Sequence, residues 1–272
     1  MAAEKPDQSD FSINIADNVA TLTFTRPHKA NAFHPRMIEP MREFFNELRH
    51  RPDVRAVLIR GEGRHFMAGG DLESLGDPTA KSDASLTLEN ETYIQSYNDM
   101  IRVMHQLSQP VVASVQGGAA GAAVGFIGAC DLVIAADTAF FWAAHILHGG
   151  SNDGLLTYFL PRHVGLRKAL EMALLGDRIK AAEAKEIGLV NFVVPETDLA
   201  AETNKLMARL AKGPTQGYGK IKRLIYSSFA NTMLQQGALE AETYASLVHT
   251  SDLKEGLRAF FDGKREPDFK GR

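Results

Sequence analysis

Apolar and polar positions alternate along the first part of the chain in a way that predicts strands and helices in turn. Residues 11–15 and 19–25 have the alternation of half-buried strands, and Asp17-Asn18 between them predicts a tight turn. A helix is predicted over 37–49, where apolar side chains recur at helical spacing. The β-branched run at 54–59 predicts the strand that follows.

The alternation of elements continues through the middle of the chain. Residues 76–84 predict a mobile loop, and a helix is predicted over 86–107. A buried strand at 111–115, a small-residue turn and helix at 117–128, and another strand at 131–135 come next. Strands that alternate with helices predict an α/β fold in which most strands are parallel.

From Glu196 onward the pattern is almost continuously helical. We predict four helices in this part of the chain, over 199–210, 215–229, 234–249 and 252–261. The chain is therefore divided into a polar, disordered tail (1–10), a core domain (11–198) and a C-terminal helical module (199–272).

Composition narrows the class of protein. The 272 residues are 44% hydrophobic and 23% charged, which is typical of a soluble globular protein, and the net charge of -3 gives no field that attracts nucleic acid or an anionic membrane. The apolar stretch 111–136 is interrupted by Gln116, Asp131 and several glycines, so no membrane span is predicted. The lone cysteine, Cys130, indicates a reduced, cytoplasmic protein, and no histidine spacing predicts a metal site.

Two glycine-rich loops are the first candidates for chemistry. One spans 61–72, after a predicted strand and before a predicted helix, and the other, 109–125, is a predicted strand that runs into small residues at a helix start. Glycine lets the backbone approach a ligand, and amides at a helix start favour negative charge. Either loop alone is also explained as a flexible turn or as tight helix–strand packing. Two such loops after successive parallel strands favour a binding site.

Several motifs, in this order, resemble those of the enoyl-CoA hydratase/isomerase (crotonase) family over about residues 11–272. They are Arg-Pro-His-Lys-Ala-Asn-Ala-Phe at 26–33, Phe-Met-Ala-Gly-Gly-Asp-Leu at 66–72, Gln-Pro-Val-Val-Ala-Ser-Val at 109–115, Gly-Asp-Arg-Ile at 176–179 and Phe-Phe-Asp-Gly-Lys-Arg-Glu-Pro-Asp-Phe at 260–269. The resemblance implies a crotonase-like spiral of ββα units. It also implies that the C-terminal helices assemble a homotrimer or a dimer of trimers.

The same resemblance implies where an acyl-CoA thioester is bound. Its oxyanion hole would use the N–H groups of Ala68 and Ala122, which would stabilise an enolate. Coenzyme A enters as part of the substrate, and no separate cofactor is expected. The residues that match the family's binding positions are Lys29, Ala30, Gly69, Gly70, Asp71, Leu72, Gly121 and Trp142, with Lys29, Arg64, Lys264 and Arg265 as candidates for the phosphates.

The acid/base residues distinguish the possible reactions. Family members that hydrate usually carry two glutamates, and the matching positions here are Gly125 and His145. Asp153 matches the position of a functional aspartate in several isomerases and in the aryl-CoA dehalogenases of the family. The alternative role for Asp153 is a helix cap, because 151–153 precede an apolar run. His145 is predicted to assist catalysis or, alternatively, to pack as a half-buried histidine.

The leading hypothesis is an enoyl-CoA isomerase with Asp153 as its single base. An alternative is an enoyl-CoA hydratase that uses His145 and Asp153 in place of the glutamates. A third hypothesis makes Asp153 a nucleophile in dehalogenation or thioester hydrolysis. A protein that binds acyl-CoA without catalysis is the alternative from another class.

Overall fold

A computed structural model describes residues 10–75, 82–264 and 266–272. Residues 1–9 of the predicted tail, residues 76–81 of the predicted loop, and Arg265 lie outside the described residues. Within the described ranges the strands are β1 (Phe11–Ala16), β2 (Val19–Phe24), β3 (Ala56–Gly61), β4 (Val111–Val115), β5 (Gly118–Ala120), β6 (Leu132–Ala136), β7 (Phe140–Trp142), β8 (Arg178–Lys180) and β9 (Phe192–Val194).

The α-helices of the described residues surround these strands. They are α1 (Ile38–Leu48), α2 (Asp83–His105), α3 (Ala122–Gly128), α4 (Leu156–Val164), α5 (Leu166–Leu175), α6 (Ala181–Glu186), α7 (Leu199–Ala211), α8 (Thr215–Ser228), α9 (Met233–Leu247) and α10 (Ser251–Phe261). Among the described residues, no helix is long and apolar enough to cross a membrane.

The strands form two sheets. The large sheet has the order β1-β2-β3-β4-β6-β9, and in it only the β1–β2 pair is antiparallel. The small sheet has the order β5-β7-β8, and a parallel bridge from Met67 to Ala119 adds the segment after β3 to it. Successive turns of the chain therefore give one strand to each sheet and then a helix, which is the spiral of ββα units that the resemblance implies.

The core fixes the ends of the strands that lead to the glycine-rich loops. Phe24 packs edge-on against Phe66 and Phe126, with ring centroids 5.9 and 6.0 Å apart. α7 packs on β3, β4 and β6, and a 2.9 Å hydrogen bond joins Ser114 of β4 to Thr203 of α7. Buried rings and a satisfied polar pair hold β3 and β4 rigidly, so the loops that follow them have a fixed base.

The predicted α/β class and the four C-terminal helices are confirmed. Asp17 and Asn18 have φ values of 51° and 62°, which is the turn geometry that joins β1 and β2 as a hairpin. The sequence analysis missed β5, β7, β8 and β9, because a three-residue strand is too short to show a periodic pattern. The proposed boundary between 198 and 199 stays a prediction, and α7 on its C-terminal side packs on the large sheet.

Candidate active site

A pocket opens where β3 and β4 lead into their loops. It is lined by residues 68–72 and 121–122, by one face of α2, and by the segment that follows β7; Tyr93, His145 and Asp153 are among its lining residues. A larger cavity of about 860 Å³ lies between residues 49–54 and α8. That cavity is lined by no residue of 61–72, by only Gln109 of 109–125, and not by Asp153, so the candidate chemistry belongs to the first pocket.

Glycine lets the two loops touch main chain to main chain. Gly69 and Gly121 have φ values of 90° and 56°, which L side chains rarely adopt. A methyl carbon added at Gly69 would lie 2.8 Å from the carbonyl oxygen of Ala120 and 3.3 Å from Cα of Gly121. A larger residue at Gly69 would push the loops apart and separate the amides that they carry.

The prediction that Ala68 supplies an oxyanion donor is wrong. Its N–H donates to the carbonyl oxygen of Ala30 at 3.0 Å and is therefore already used. Phe33 forms a parallel bridge with Gly70, through bonds from Phe33 N to Gly69 O (2.7 Å) and from Asp71 N to Phe33 O (2.9 Å). In such a bridge the intervening residue, Gly70, points its own N–H away from Phe33.

Gly70 and Ala122 therefore offer two amides on the same side of the loops. Ala122 is the first residue of α3, and first-turn amides have no acceptor within their helix. Among the described residues, neither N–H takes part in a backbone hydrogen bond between elements. Both residues line the pocket, so both N–H groups are available to a ligand atom that carries negative charge.

Asp153, His145 and Asn152 form a hydrogen-bonded chain on the other side of the pocket. Asn152 Nδ2 lies 3.0 Å from His145 Nδ1, and His145 Nε2 lies 2.9 Å from Asp153 Oδ1. An amide nitrogen can only donate, so Nδ1 accepts and the imidazole carries its proton on Nε2. His145 therefore donates to Asp153, which keeps the lone pairs of its Oδ2 for another proton.

Asp153 does not cap α4 with its side chain. The residue before α4 is Leu155, with φ of 57°, and no side chain accepts a hydrogen bond from the first turn. The Asp153 side chain is 26% exposed and its carboxylate bonds to His145 instead. A carboxylate that faces a pocket and has no capping role is available for acid/base chemistry.

Gly125, at the position of the first family glutamate, has no room for any side chain. A methyl carbon there would lie 2.1 Å from the carbonyl oxygen of Gly154 and 2.8 Å from the backbone nitrogen of Leu156. Both contacts are to backbone atoms of the loop that carries Asp153. The loop lies against α3 where a glutamate side chain would otherwise stand, so the two-glutamate arrangement is sterically closed in this chain.

Substituting Gly125 by alanine is expected to destabilise the protein by about 1–3 kcal/mol, because an overpacked core must shift its neighbours. The Asp153 loop is the neighbour that must shift. Thermal unfolding of both proteins measures the effect. Gly237→Ala is the matched control, since no atom lies within 4 Å of its added carbon and the residue is helical. An unchanged midpoint for Gly125→Ala would contradict this description of the loop.

Only some of the residues predicted to bind coenzyme A line the pocket. Leu72 lines the pocket, whereas Lys29 and Ala30 do not. Both are held beside the loop at 68–72, Ala30 by the hydrogen bond from Ala68 and Lys29 by its ion pair with Glu73. Lys264 is exposed and 3.7 Å from Asp262, and neither Lys264 nor Arg64 lines the pocket. Their phosphate contacts stay predictions.

Asp71 has a structural role. Its carboxylate is 2.8 Å from the Arg26 guanidinium, and both side chains are 8% exposed. Burial alone would raise the pKa of Asp71, but the hydrogen bond and charge of Arg26 outweigh it and lower the pKa. Asp71 therefore stays ionised and ties the loop at 68–72 to the loop at 26–33.

Trp142, predicted as a substrate contact, does not line the pocket. Its Nε1 donates to the carbonyl oxygen of Gly176 at 2.6 Å, and the Arg178 guanidinium lies 4.4 Å from its ring. Its effect on the site is indirect, because its carbonyl oxygen accepts a 2.8 Å bond from the N–H of Gly121. This bond holds the loop that presents Ala122.

Sequence reasoning missed the contributions of Gly70, Asn152 and Tyr93. Asn152 was considered only as a cap, and the amide of Gly70 was missed because side-chain identity carries no information about which N–H is already bonded. Tyr93 had a detectable signal, since Asn90, Tyr93, Ile94 and Tyr97 share one face of a helix at i, i+3, i+4 and i+7.

Comparison with known proteins identifies the group that shares this architecture. The family model for enoyl-CoA hydratase/isomerase matches residues 14–272. The chain is 34% identical to a "probable enoyl-CoA hydratase" of Rhodobacter capsulatus, covering 95% of this chain and 96% of that protein. It is 35% identical to the 1,2-epoxyphenylacetyl-CoA isomerase of Escherichia coli, covering 95% and 97%.

A solved structure agrees with the sequence relatives. An enoyl-CoA hydratase from Polaromonas superimposes with a TM-score of 0.88 at 30% identity, covering 95% of this chain and 99% of that chain. These two relatives, one named as a hydratase and the other as an isomerase, have nearly equal identity to this chain. Overall similarity therefore leaves the reaction to be argued from the residues of the pocket.

Proposed function

The chain belongs to the enoyl-CoA hydratase/isomerase family, and we propose that it is an isomerase that shifts a double bond in an unsaturated acyl-CoA with Asp153 as its single base. The observation that carries the proposal is the arrangement at Asp153. One carboxylate faces the pocket and holds one hydrogen bond from His145, while the place of a second carboxylate at Gly125 is sterically closed. Coenzyme A is part of the substrate, and the proposed steps use no separate cofactor.

The proposed reaction moves one proton and forms no product other than the isomer. Oδ2 of Asp153 takes a proton from C2 of a 3-enoyl-CoA, and the electron pair enters the thioester as a dienolate. The N–H groups of Gly70 and Ala122 stabilise its oxygen, because preset donors act on charge that develops in the transition state. Asp153 returns the proton to C4, which leaves a 2-enoyl-CoA of the same mass. An aspartate base serves ketosteroid isomerisation by the same logic.

His145 supports Asp153 in this proposal and does not act as a second base. Its Nδ1 accepts from Asn152 and its Nε2–H donates to Asp153, so neither nitrogen offers a lone pair to the substrate. Hydration needs one group to activate water and another to protonate carbon. The hydratase alternative with His145 as the base therefore requires Nδ1 to lose its hydrogen bond from Asn152.

The proposal is tested by incubating the pure protein with 3-hexenoyl-CoA and, separately, with 2-hexenoyl-CoA. Chromatography with mass detection is expected to show a new isomer of unchanged mass from the first. Gain of one water by the 2-enoyl thioester would support the hydratase alternative. Release of free coenzyme A would support Asp153 as a nucleophile. Binding of both thioesters without any product would support a non-catalytic protein.

We also propose that the protein is a homotrimer or a dimer of trimers, assembled through its C-terminal helices. The exposed apolar side chains of this region support the proposal: Met233, Leu234, Phe260 and Phe261 are 92%, 84%, 77% and 81% exposed in the single chain. Apolar side chains exposed to this degree in one region are typical of a protein interface.

Leu234→Glu is expected to shift the protein to smaller species, because a charge is costly in an apolar interface. Light scattering after size exclusion measures the mass against the 29.8 kDa of one chain. We expect the parent protein to have three or six times the mass of one chain, and the variant to have the mass of a single chain. Glu43→Lys, an exposed change on α1, is expected to leave the mass unchanged. A monomeric parent protein would contradict the proposal.

A further inference from the structure

Asn152 lies beside the pocket and contacts the ring of His145. The N–H of Gly150 donates to the carbonyl oxygen of His145 at 3.2 Å, so this segment folds back on itself after the short helix at 144–148. Asn152 is half-buried there, and its Nδ2 lies 3.0 Å from His145 Nδ1. His145 and Asp153 line the pocket, whereas Asn152 does not. The side chain of Asn152 can therefore act on the pocket through the His145 ring.

The pocket has few groups that could carry a positive charge. Among the described residues that line it, the titratable side chains are Asp71, Tyr93, His145, His148 and Asp153, with no lysine or arginine. Of the two histidines, His145 is the one that forms a hydrogen bond with Asp153, with Nε2 2.9 Å from Oδ1. The protonation of His145 therefore decides whether the proposed base lies beside a neutral donor or beside a cation.

Asn152 restricts the number of protons that the His145 ring can carry. An imidazole whose Nε2 donates to a carboxylate can take a second proton on Nδ1, which converts the contact into an ion pair. At His145 that second proton would point at the amide N–H of Asn152, because an amide nitrogen donates and does not accept. Two donors that face each other repel, so the contact favours a single proton on the ring, at Nε2.

The charge of this ring affects how readily Asp153 accepts a proton. A cation in hydrogen-bond contact stabilises an ionised carboxylate more strongly than a neutral N–H donor does, so it weakens the carboxylate as a base. The ring also lies against the loop that presents Ala122, since a methyl carbon added at Gly121 would be 3.8 Å from His145 Nε2. A neutral His145 therefore holds the carboxylate beside that loop and leaves it able to take a proton.

We infer that Asn152 is a positioning residue that keeps a proton off Nδ1 of His145, so that Asp153 takes the substrate proton beside a neutral hydrogen-bond donor. This inference rests on the proposed function for the role of Asp153 as the base. It adds the residue that sets the charge next to that base. Asn152 acts through His145 and takes no part in the transfer of the proton.

Nitrogen NMR of protein that carries isotope-labelled histidine observes the protons of the His145 ring directly at neutral pH. Ring nitrogens with and without a proton give different chemical shifts, and the His145→Gln variant identifies the signals of His145. We expect an unprotonated Nδ1 and a protonated Nε2 in the parent protein. In Asn152→Asp, a carboxylate of the same shape can only accept, so Nδ1 is expected to carry a proton.

Initial rates with 3-hexenoyl-CoA measure the consequence for the reaction. Asn152→Ala and Asn152→Asp are each expected to lower kcat roughly five- to tenfold and to change KM little, because a charged hydrogen bond holds the carboxylate more strongly than a neutral one. In a His145→Gln background, Asn152→Ala is expected to change kcat by less than about twofold, since a glutamine amide takes no second proton. Asn204→Asp, at an exposed position on α7, is the matched control and is expected to leave kcat unchanged.

A proton on Nδ1 in the parent protein would overturn the inference, because the amide of Asn152 would then present its oxygen to the ring. An unchanged kcat in both Asn152 variants would also overturn it. So would an equal loss from Asn152→Ala in the His145→Gln background, since that result indicates a structural role. Thermal unfolding establishes that each variant is folded. If the parent protein shows the expected NMR pattern but no isomerisation, the proposed function fails and the control of the His145 proton by Asn152 stands.

Discussion

Asp153→Asn is expected to lower kcat for isomerisation of 3-hexenoyl-CoA by roughly 10²–10⁴-fold, which is the usual contribution of a positioned acid/base group. Asparagine has the shape of aspartate, so the hydrogen bond from His145 Nε2 to the oxygen at this position can persist. KM is expected to change little, because the carboxylate acts on the proton and does not hold coenzyme A. Initial rates with both proteins measure the effect.

Two comparisons separate a chemical role of Asp153 from a general disturbance. Asp99→Asn removes an exposed carboxylate on α2 that pairs with Arg102 at 3.2 Å, and it is expected to leave kcat unchanged. His145→Gln is expected to lose less activity than Asp153→Asn, since an amide can still donate to the carboxylate. If Asp153→Asn keeps a rate similar to that of Asp99→Asn, the base lies elsewhere.

Ala122→Pro is expected to lower kcat by roughly 10²–10³-fold, which is the loss that follows removal of one oxyanion donor. The substitution deletes a single N–H at the first position of α3, where proline is well tolerated because the amide has no partner within the helix. The preceding residue is glycine, so there is no Cβ to clash with the proline ring. Fold and stability are therefore expected to be kept.

The control for this variant is Ala122→Gly, which keeps the N–H and removes only the methyl group. It is expected to retain activity within a few-fold of the parent protein. Circular dichroism and thermal unfolding establish that the proline variant is folded before its rate is interpreted. A folded Ala122→Pro variant with nearly full activity would show that the Ala122 amide does not stabilise the enolate.

The fold was largely predictable because its main elements carry strong local patterns. The β-branched run of β3, the helical spacing of α1 and the turn at Asp17-Asn18 each specify their element within a few residues. The small sheet was not predictable. Its strands have three residues each, and β5 consists of glycine and alanine, so neither periodicity nor side-chain type distinguishes them from a loop.

The side chains proposed for acid/base chemistry could be predicted from the sequence. The backbone amides proposed for the oxyanion hole could not, because their availability depends on backbone hydrogen bonds. The family resemblance singled out Asp153 and His145, and the structure places them 2.9 Å apart. Ala68 was given as a donor by the resemblance, and the sequence does not show that its amide is already bonded to Ala30. The closed space at Gly125 depends on how a loop far along the chain packs, which no local pattern encodes.

The most direct test of a single base follows one labelled proton. The protein is incubated with 3-hexenoyl-CoA that carries two deuterium atoms at C2, and the first product formed is analysed by mass spectrometry and NMR. Transfer by Asp153 alone predicts 2-hexenoyl-CoA of unchanged mass in early product, with deuterium at C4. A product that has lost one deuterium completely and carries only hydrogen at C4, or a product heavier by one water, would contradict a single carboxylate base.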